Sequence, residues 1–244
     1  MKITVLGSGA AIPDGKGVQS GYLLEKSGAV PLLIDCGGGV LHRLGQTNYS
    51  LLDIDTVLIT HPHPDHVTDL IGLVQARRLQ DRSNLRVFGP EGTRETVQKL
   101  LEAVDLWGRS SVEVTHLENN SVREIENYRV ETLKTRHSIP SLAYRIDDKL
   151  VYTGDTEKFE ELRQFVENVE VIVHDASYSM GSDMKNHSTP EDIGEMVKGS
   201  NAKLLVLSHL YPQARESMDS TLDYLKDGFS GIVTPASDLE TFTI

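Results

Sequence analysis

Thr60-His61-Pro62-His63-Pro64-Asp65-His66, "THPHPDH", closes the apolar run "TVLIT" and decides how the rest of the chain is read. Six consecutive positions hold three of the nine histidines and an aspartate. Crowded imidazoles either repel one another as cations or share something that wants neutral nitrogen donors. His61 and His63 are two apart, so in extended backbone their rings fall on one side. Pro62 and Pro64 stiffen the loop and hold off an early helix start. Asp65 and His66 fall at the start of the helical pattern that follows and turn toward a different point. One metal fits the first pair and a second fits Asp65 with His66, since neutral imidazole and carboxylate are ordinary zinc donors. A lone loop histidine is usually solvated surface. His-x-His-x-Asp-His after a strand is a ligand pattern by donor type.

Outward from this stretch, strand-like segments recur: "KITVLG", "GYLLE", "PLLIDCG", "LRVFGP", "YRVETLKT", "SLAYRID", "KLVYTGD", "VEVIVHD" and "KLLVLSH". The clearest helical pattern runs from Val67 to Leu79, with apolar residues at 67, 70, 71, 74 and 79, close to a 3.6 period. Others are "TRETVQKLLEAV", "EKFEELRQFVENV", "ESMDSTLDYLKDGF" and "TPEDIGEMVKGS", where Thr189 and Pro190 read as cap and first turn. There is no low-complexity tract, charge block, long linker or internal repeat. Early strands cluster and later ones alternate with helices, which predicts a layered α/β fold. His61, Asp155, His174 and His209 each stand at or just past the end of a strand pattern, where α/β folds usually build sites.

The chain has 244 residues, 39% hydrophobic and 25% charged, enough for a large core, and the expectation is one domain over 1–244. A formal net charge of −12 disfavours gripping a long polyanion by counterion release. Cys36 is the sole cysteine, so no intrachain disulfide forms, which fits a reducing compartment. "MKITVLGSGA" lacks an apolar stretch of signal-peptide length, and no run approaches the ~18 apolar residues of a membrane span. These features predict a soluble, cytoplasmic protein without a membrane partner. "VLGSGAAIPDG" fails as a dinucleotide fingerprint, because Ile12 replaces the third glycine and Pro13 breaks the helix that would hold the pyrophosphate.

The opening motif resembles the signature of the metallo-β-lactamase superfamily, which positions 61 to 66 match residue for residue. Counterparts of that family's later ligands follow: "KTRHSIPSLAYRI" supplies His137, "LVYTGDT" supplies Asp155 and "LLVLSHL" supplies His209. The resemblance implies that His61, His63 and His137 hold one zinc, that Asp65, His66 and His209 hold the other, and that Asp155 bridges them. It thus implies two Zn2+ per chain, and a His/Asp set without cysteine also admits Mn2+ or Fe2+. It implies a four-layer αββα sandwich, two mixed β-sheets packed face to face with outer helices and the site at one edge. Asp35 in "LIDCGGG" resembles an acid that the superfamily keeps beside its metals, expected to orient a ligand histidine. Two metals sharing a hydroxide suit attack on phosphorus. The same fold hosts lactonases, β-lactamases and thiolesterases.

Three further stretches resemble the ribonuclease Z branch, tRNA 3′-processing endonucleases. "HSIPSLAYRI" matches its His-x-x-x-Ser-x-Gly-Tyr pattern at His137, Ser141 and Tyr144, with Ala143 for glycine. "VIVHDASY" resembles its His-Glu-Ala-Thr motif, with Asp175 for glutamate and Ser177 for threonine, and His187-Ser188-Thr189 is its His-Ser-Thr motif. Carried over, Asp175 orients His187, His187 protonates the leaving oxygen, and Asp65 doubles as ligand and proton acceptor. His174 reads equally as a residue behind the metals or as core. His42 and His116 lie in no motif and read as surface.

The branch's long tRNA-gripping arm has no place here. His137 and Asp155 are 18 positions apart, filled by two strand patterns and the turn "DDK". An arm-less acidic chain resembles the related small phosphodiesterases, so the expected substrate is a small phosphodiester or cyclic nucleotide, with RNA disfavoured. The alternatives are tRNA 3′ processing, lactone or other ester hydrolysis, and a non-catalytic metal-binding module. Against the last, all seven inferred ligand positions are His or Asp. A homodimer is expected by analogy with ribonuclease Z alone.

Overall fold

Successive strand residues point to opposite faces of a sheet, and here both faces are apolar over most strands, so each sheet must be covered twice. The computed structural model describes residues 1–82 and 84–244. The first half supplies β1 (Lys2–Gly7), β2 (Gly21–Glu25), β3 (Leu32–Ile34), α1 (Val40–Leu44), β4 (Thr56–Leu58), α2 (Pro64–Val67), α3 (Leu70–Leu79), β5 (Leu85–Gly89), α4 (Thr93–Ala103) and β6 (Val112–His116). The second half supplies β7 (Val122–Ile125), β8 (Tyr128–Lys134), β9 (Leu142–Ile146), β10 (Leu150–Tyr152), α5 (Glu160–Phe165) and β11 (Val171–Asp175). It continues through α6 (Pro190–Val197), β12 (Leu204–Ser208), α7 (Pro212–Glu216), α8 (Met218–Gly228) and β13 (Ile232–Pro235), and β14 (Thr241–Thr243) returns to pair with β1.

Two mixed seven-stranded sheets result, in the orders β14-β1-β2-β3-β4-β5-β6 and β13-β12-β11-β10-β9-β8-β7. Between them lie Ile3, Tyr22, Leu24 and Ile34 from the first sheet against Tyr128, Tyr144, Val171 and Val173 from the second. The alternate residues Leu23, Leu33 and Val87 pack outward on Leu44, Leu73 and Val97 of α1, α3 and α4. On the far side Val151, Ile172 and Leu205 pack on Leu162, Ile193 and Leu225 of α5, α6 and α8. Each such side chain contributes roughly 1.5–3 kcal/mol by burial. The layering is the expected αββα sandwich.

Three helix expectations need correction. The pattern from Val67 to Leu79 forms two helices, α2 and α3, rather than one. The turn after β3 interrupts the ladder: Cys36 N–H donates to the His66 carbonyl (2.7 Å), and Asp69 N–H donates to the Cys36 carbonyl (3.0 Å) instead of closing its own helical turn. A Cβ at Gly37 would stand 2.0 Å from the Asp65 carbonyl, so only glycine admits this approach. The break locks Asp65 and His66 against the end of β3. Pro64 takes the first helical position, starting α2 rather than delaying it. The helix expected in "EKFEELRQFVENV" is also shorter, covering Glu160–Phe165 alone.

The strands absent from the sequence reading are β6, β7, β13 and β14, which are the four sheet edges. No helix among the described residues is long and apolar enough to cross a membrane.

Candidate metal centre

The site forms where the strand-end loops of both sheets meet. Past β4 the chain runs through Thr60 and His61 into α2, which carries Asp65 and His66. From the second sheet come His137 after β8, Asp155 after β10, Asp175 at the end of β11 and His209 after β12. His209 sits at φ +57°, a left-handed turn that ends the strand abruptly. His187 precedes α6, whose start is fixed by a reciprocal cap between Thr189 and Asp192.

These loops bring the expected donors together. His61, His63 and His137 offer one group of ligand atoms within 4.8 Å of one another, Asp65, His66 and His209 a second, and His61, His66 and Asp155 a third that joins them. Asp155 Oδ2 lies 3.3 Å from His209 Nε2, 3.5 Å from His61 Nε2 and 4.0 Å from His137 Nε2, while its Oδ1 lies 3.5 Å from His66 Nε2. His63 Nδ1 stands 3.0 Å from His61 Nε2 and 3.1 Å from His137 Nε2, and Asp65 Oδ2 stands 3.1 Å from His209 Nε2. Donors on a tetrahedral zinc with bonds near 2.0–2.1 Å are separated by about 3.3 Å, so the spacing fits a metal shell.

The outward ring nitrogens explain why the inward ones are free. His66 Nδ1–H donates to Asp35 Oδ2 (2.8 Å) and His137 Nδ1–H to the Asn186 carbonyl (2.9 Å). His209 Nδ1–H donates to Ser177 Oγ (2.9 Å), and His61 Nδ1–H to Thr60 Oγ1 (3.1 Å). Those two hydroxyls pass their own hydrogens to Asp175 Oδ1 (2.5 Å) and Asp35 (3.0 Å). With Nδ1 so engaged, the Nε2 atoms of these four rings face inward, the orientation a metal ligand needs. His63 is the reverse: its Nδ1 faces inward, and its Nε2 has no hydrogen-bond partner among the described residues.

Charge points the same way. Burial, then the nearby His66, holds His61 well below the usual imidazole range. Burial would lower His66 too, but Asp155 and Asp35 outweigh it and raise this ring well above that range. Burial works to raise Asp155, yet His209, His66 and His61 hold it well below the usual carboxylate range. Its Oδ1 is buried without a hydrogen-bond partner, a costly state for a carboxylate oxygen. Carboxylates that draw a proton onto a buried imidazole would draw a cation between them. The residues present fit a metal.

Beside this cluster, His187 Nδ1–H donates to Asp175 Oδ2 (2.9 Å). Burial would lower His187, but Asp175, its hydrogen bond, Asp155 and Asp65 raise it to about 9. Asp175 is itself held by backbone N–H groups of Thr156 and Ser177, each at 3.0 Å. His187 therefore has Nδ1 engaged by a carboxylate, and its Nε2 makes no hydrogen bond among the described residues.

Asp35 stands where a partner to a ligand histidine was expected, and also accepts from Thr60 N–H (2.8 Å) and Tyr152 OH (3.1 Å). His174 joins none of the donor groups: its Nδ1–H donates to its neighbour's carbonyl, and the ring is buried. His42 and His116 are exposed. Ser141 and Tyr144 tie the fold together, with Tyr144 OH donating to the Ile59 carbonyl (2.5 Å) just before the ligand loop. Sequence reasoning missed Thr60, the Asn186 carbonyl and the linking role of Ser177, since hydroxyls and carbonyls carry no spacing signature.

Known proteins resemble this chain along its length. Ribonuclease Z of Thermococcus gammatolerans is 27% identical over 264 aligned positions, covering 86% of this chain and 83% of the relative. That alignment is longer than the chain's 244 residues, so part of the relative has no counterpart here. The metallo-β-lactamase fold protein YhfI from Bacillus subtilis superposes with a TM-score of 0.87 at 25% identity, covering 99% of this chain and 98% of its own. The short form of human tRNase Z superposes with a TM-score of 0.79 at 23% identity, covering 100% and 99%. The family model described as anti-Pycsar protein Apyc1 matches residues 1–236. With a ligand shell of this type on this fold, the chain belongs to the Apyc1 family, within the ribonuclease Z-like branch of the metallo-β-lactamase superfamily.

Proposed function

We propose that this metal-dependent hydrolase is a dinuclear zinc phosphodiesterase whose substrates are small phosphodiesters, cyclic nucleotides among them. His61, His63 and His137 would hold one ion, Asp65, His66 and His209 the other, with Asp155 shared. Bound there, the ions would polarise the phosphoryl oxygens and lower the pKa of the attacking water. The chain's own part is proton traffic. Asp65 accepts the proton of the attacking water. His187, with Nδ1 committed to Asp175 Oδ2 at 2.9 Å, hands the proton on Nε2 to the departing alcohol oxygen.

The observation that carries this reading is the Asp175–His187 pair beside the donor cluster. A lactonase or a passive metal binder has no use for a buried, carboxylate-oriented imidazole at that place. A second reading, tRNA 3′-end cleavage, is favoured by relatives named ribonuclease Z. Against it stand the net charge of −12 and the connection from β9 to β10. That connection is the tight turn at Asp147, Asp148 and Lys149, with Asp147 and Asp148 at φ +52° and +54°, so no arm emerges there.

The test is a side-by-side assay of zinc-loaded protein on bis(p-nitrophenyl) phosphate, 2′,3′- and 3′,5′-cyclic nucleotides, a 3′-extended tRNA precursor and a lactone. His187→Ala is expected to lose about 10²–10⁴-fold in turnover while keeping its metals. Unchanged diester turnover in that variant means the acid is misassigned. Efficient cleavage of the tRNA precursor would move the chain to the second reading, and lactone turnover alone would remove both.

A further inference from the structure

Between α5 and the outer face of β8 and β9 lies a cavity of about 630 Å3, a volume usual for small-molecule sites. None of its lining residues belongs to the metal centre or to the Asp175–His187 pair. Its apolar lining is Leu133 and Phe159, both buried, with Phe165 partly buried beside them.

Its charge is unbalanced. Three cations line it, Lys134, Arg136 and Arg145, against the single carboxylate of Glu161. Arg145 is committed elsewhere: its Nε–H donates to Asp148 Oδ1 (3.0 Å) and its Nη1–H groups to the carbonyls of Phe165 and Glu167. Lys134 and Arg136 have no ion pair, and their side chains donate no hydrogen bond, among the described residues. The Arg136 guanidinium lies instead over the Phe159 ring, 5.2 Å from its centroid. A ring holds that cation in place without neutralising it. The contrast is a cavity of the same volume beyond the starts of β4 and β5, lined by three arginines and four carboxylates. There Arg77 pairs with Asp55 at 2.6 Å and Arg86 pairs with Glu126, so that cavity answers its own charge. The one beside α5 does not, on a chain whose net charge is −12.

The rest of the lining bears on what the anion is attached to. The Asn120 side chain makes no hydrogen bond among the described residues, and Gln164 Nε2–H donates to Glu160 (3.2 Å), which leaves its amide oxygen unused. Amides present donors and acceptors together. The edge of a heterocycle can use both, and an alkyl chain can use neither.

We propose that this cavity is a second ligand site, separate from the metal centre, for a nucleoside monophosphate. The base lies against Leu133, Phe159 and Phe165 with its edge toward the amides, and the phosphate takes Lys134 and Arg136. A phosphate monoester carries close to two negative charges, which matches the two uncompensated cations and allows charge-assisted hydrogen bonds to both. The site does not depend on whether the metal centre cleaves phosphodiesters.

The experiment is calorimetric titration of zinc-loaded protein with adenosine 5′-monophosphate, adenosine and inorganic phosphate, each alone. Wild type is compared with Lys134→Gln/Arg136→Gln, two exposed positions whose change leaves the core intact. Any ligand held at the metal centre is common to both proteins, so the difference between them reads this cavity. The variant should lose about tenfold or more in affinity for the monophosphate, while its metal content and its turnover of bis(p-nitrophenyl) phosphate match wild type. Adenosine and inorganic phosphate should show little difference between the two proteins. Equal affinity of wild type and variant for the monophosphate, or no binding to wild type, overturns the site. A difference as large for inorganic phosphate as for the monophosphate overturns the ligand class, because the cavity would then hold an anion without using its apolar and amide lining.

Discussion

From β14 to β6 the first sheet makes three antiparallel steps and then three parallel ones, and from β7 to β13 the second sheet makes the same succession. The two nonetheless feed the site differently. The first sends one continuous loop, with His61, His63, Asp65 and His66 inside six residues. The second sends single residues from four separate strand ends, His137, Asp155, Asp175 and His209. The three donor groups that include His61 or His66 each take two members from the first sheet and one from the second, so an ion bound in any of them ties the sheets together at their shared edge. Alike frames therefore carry unlike duties. One sheet supplies four donors in one contiguous loop; the other adds three widely spaced donors and the Asp175–His187 pair.

The hardest way to break that arrangement is at the residue both groups share. Asp155→Ala removes the oxygens that approach donors of both groups, and leaves His61, His66 and His209 without the one carboxylate near all three. Metal content should fall toward zero and bis(p-nitrophenyl) phosphate turnover to background. The variant should also forfeit the thermal stabilisation that ions binding the native state alone confer, about 5–10 °C for a chain of this size at saturating metal. Full metal retention by elemental analysis would sink the shared-ligand assignment.

The same contrast governs what could be read from the sequence. The first sheet's contribution is contiguous, so its donor types and spacing announce a metal site without help. His137, Asp155 and His209 lie far from it along the chain; strand-end placement pointed to Asp155 and His209, and the resemblance of whole motifs was needed to name all three as ligands. Strands buried on both faces, such as "VIVHD" and "LLVLS", read clearly as apolar runs. The missed strands "VEVTH", "VREI", "IVTP" and "TFT" are sheet edges with exposed positions, where the apolar signal is halved and charges are tolerated. The helix break at Thr68 and Asp69 was illegible because its cause, the Cys36–His66 hydrogen bond, lies across thirty residues. Local periodicity cannot report it.

A milder way to sharpen the comparison is to weaken the supports behind the donors. Behind the first sheet's half-shell stands Asp35, a fully buried carboxylate that holds His66 directly and His61 through Thr60. Asp35→Asn keeps the shape but removes the charge. One hydrogen bond to His66 loses its ionic character, and such bonds are about twice as strong as neutral ones. Metal affinity measured by chelator competition should fall about 10–100-fold, with turnover recoverable at high zinc. An affinity within twofold of wild type would show that Asp35 only packs.

The smallest effect is expected behind the second sheet's contribution, where the support is a neutral hydroxyl. Ser177 Oγ receives His209 Nδ1–H at 2.9 Å, donates to Asp175 Oδ1 at 2.5 Å, and stands 3.2 Å from His187 Nδ1. Its hydroxyl hydrogen-bonds both a candidate ligand and a member of the acid pair. Ser177→Ala leaves a buried ring N–H and a carboxylate oxygen each short of a partner, a cost of about 1–3 kcal/mol. It also frees His209 to turn its proton inward. Because Asp65 still faces His209 Nε2 at 3.1 Å, that ring keeps one restraint, and the loss of metal affinity should lie near the tenfold end of the range for such supporting residues. Ser177→Thr preserves the hydroxyl and should restore the affinity, which separates hydrogen bonding from mere volume. If the threonine variant binds metal as poorly as the alanine variant, the hydroxyl is not what orients His209. The two sheets would then differ only in where their ligands lie along the chain, not in how they hold them.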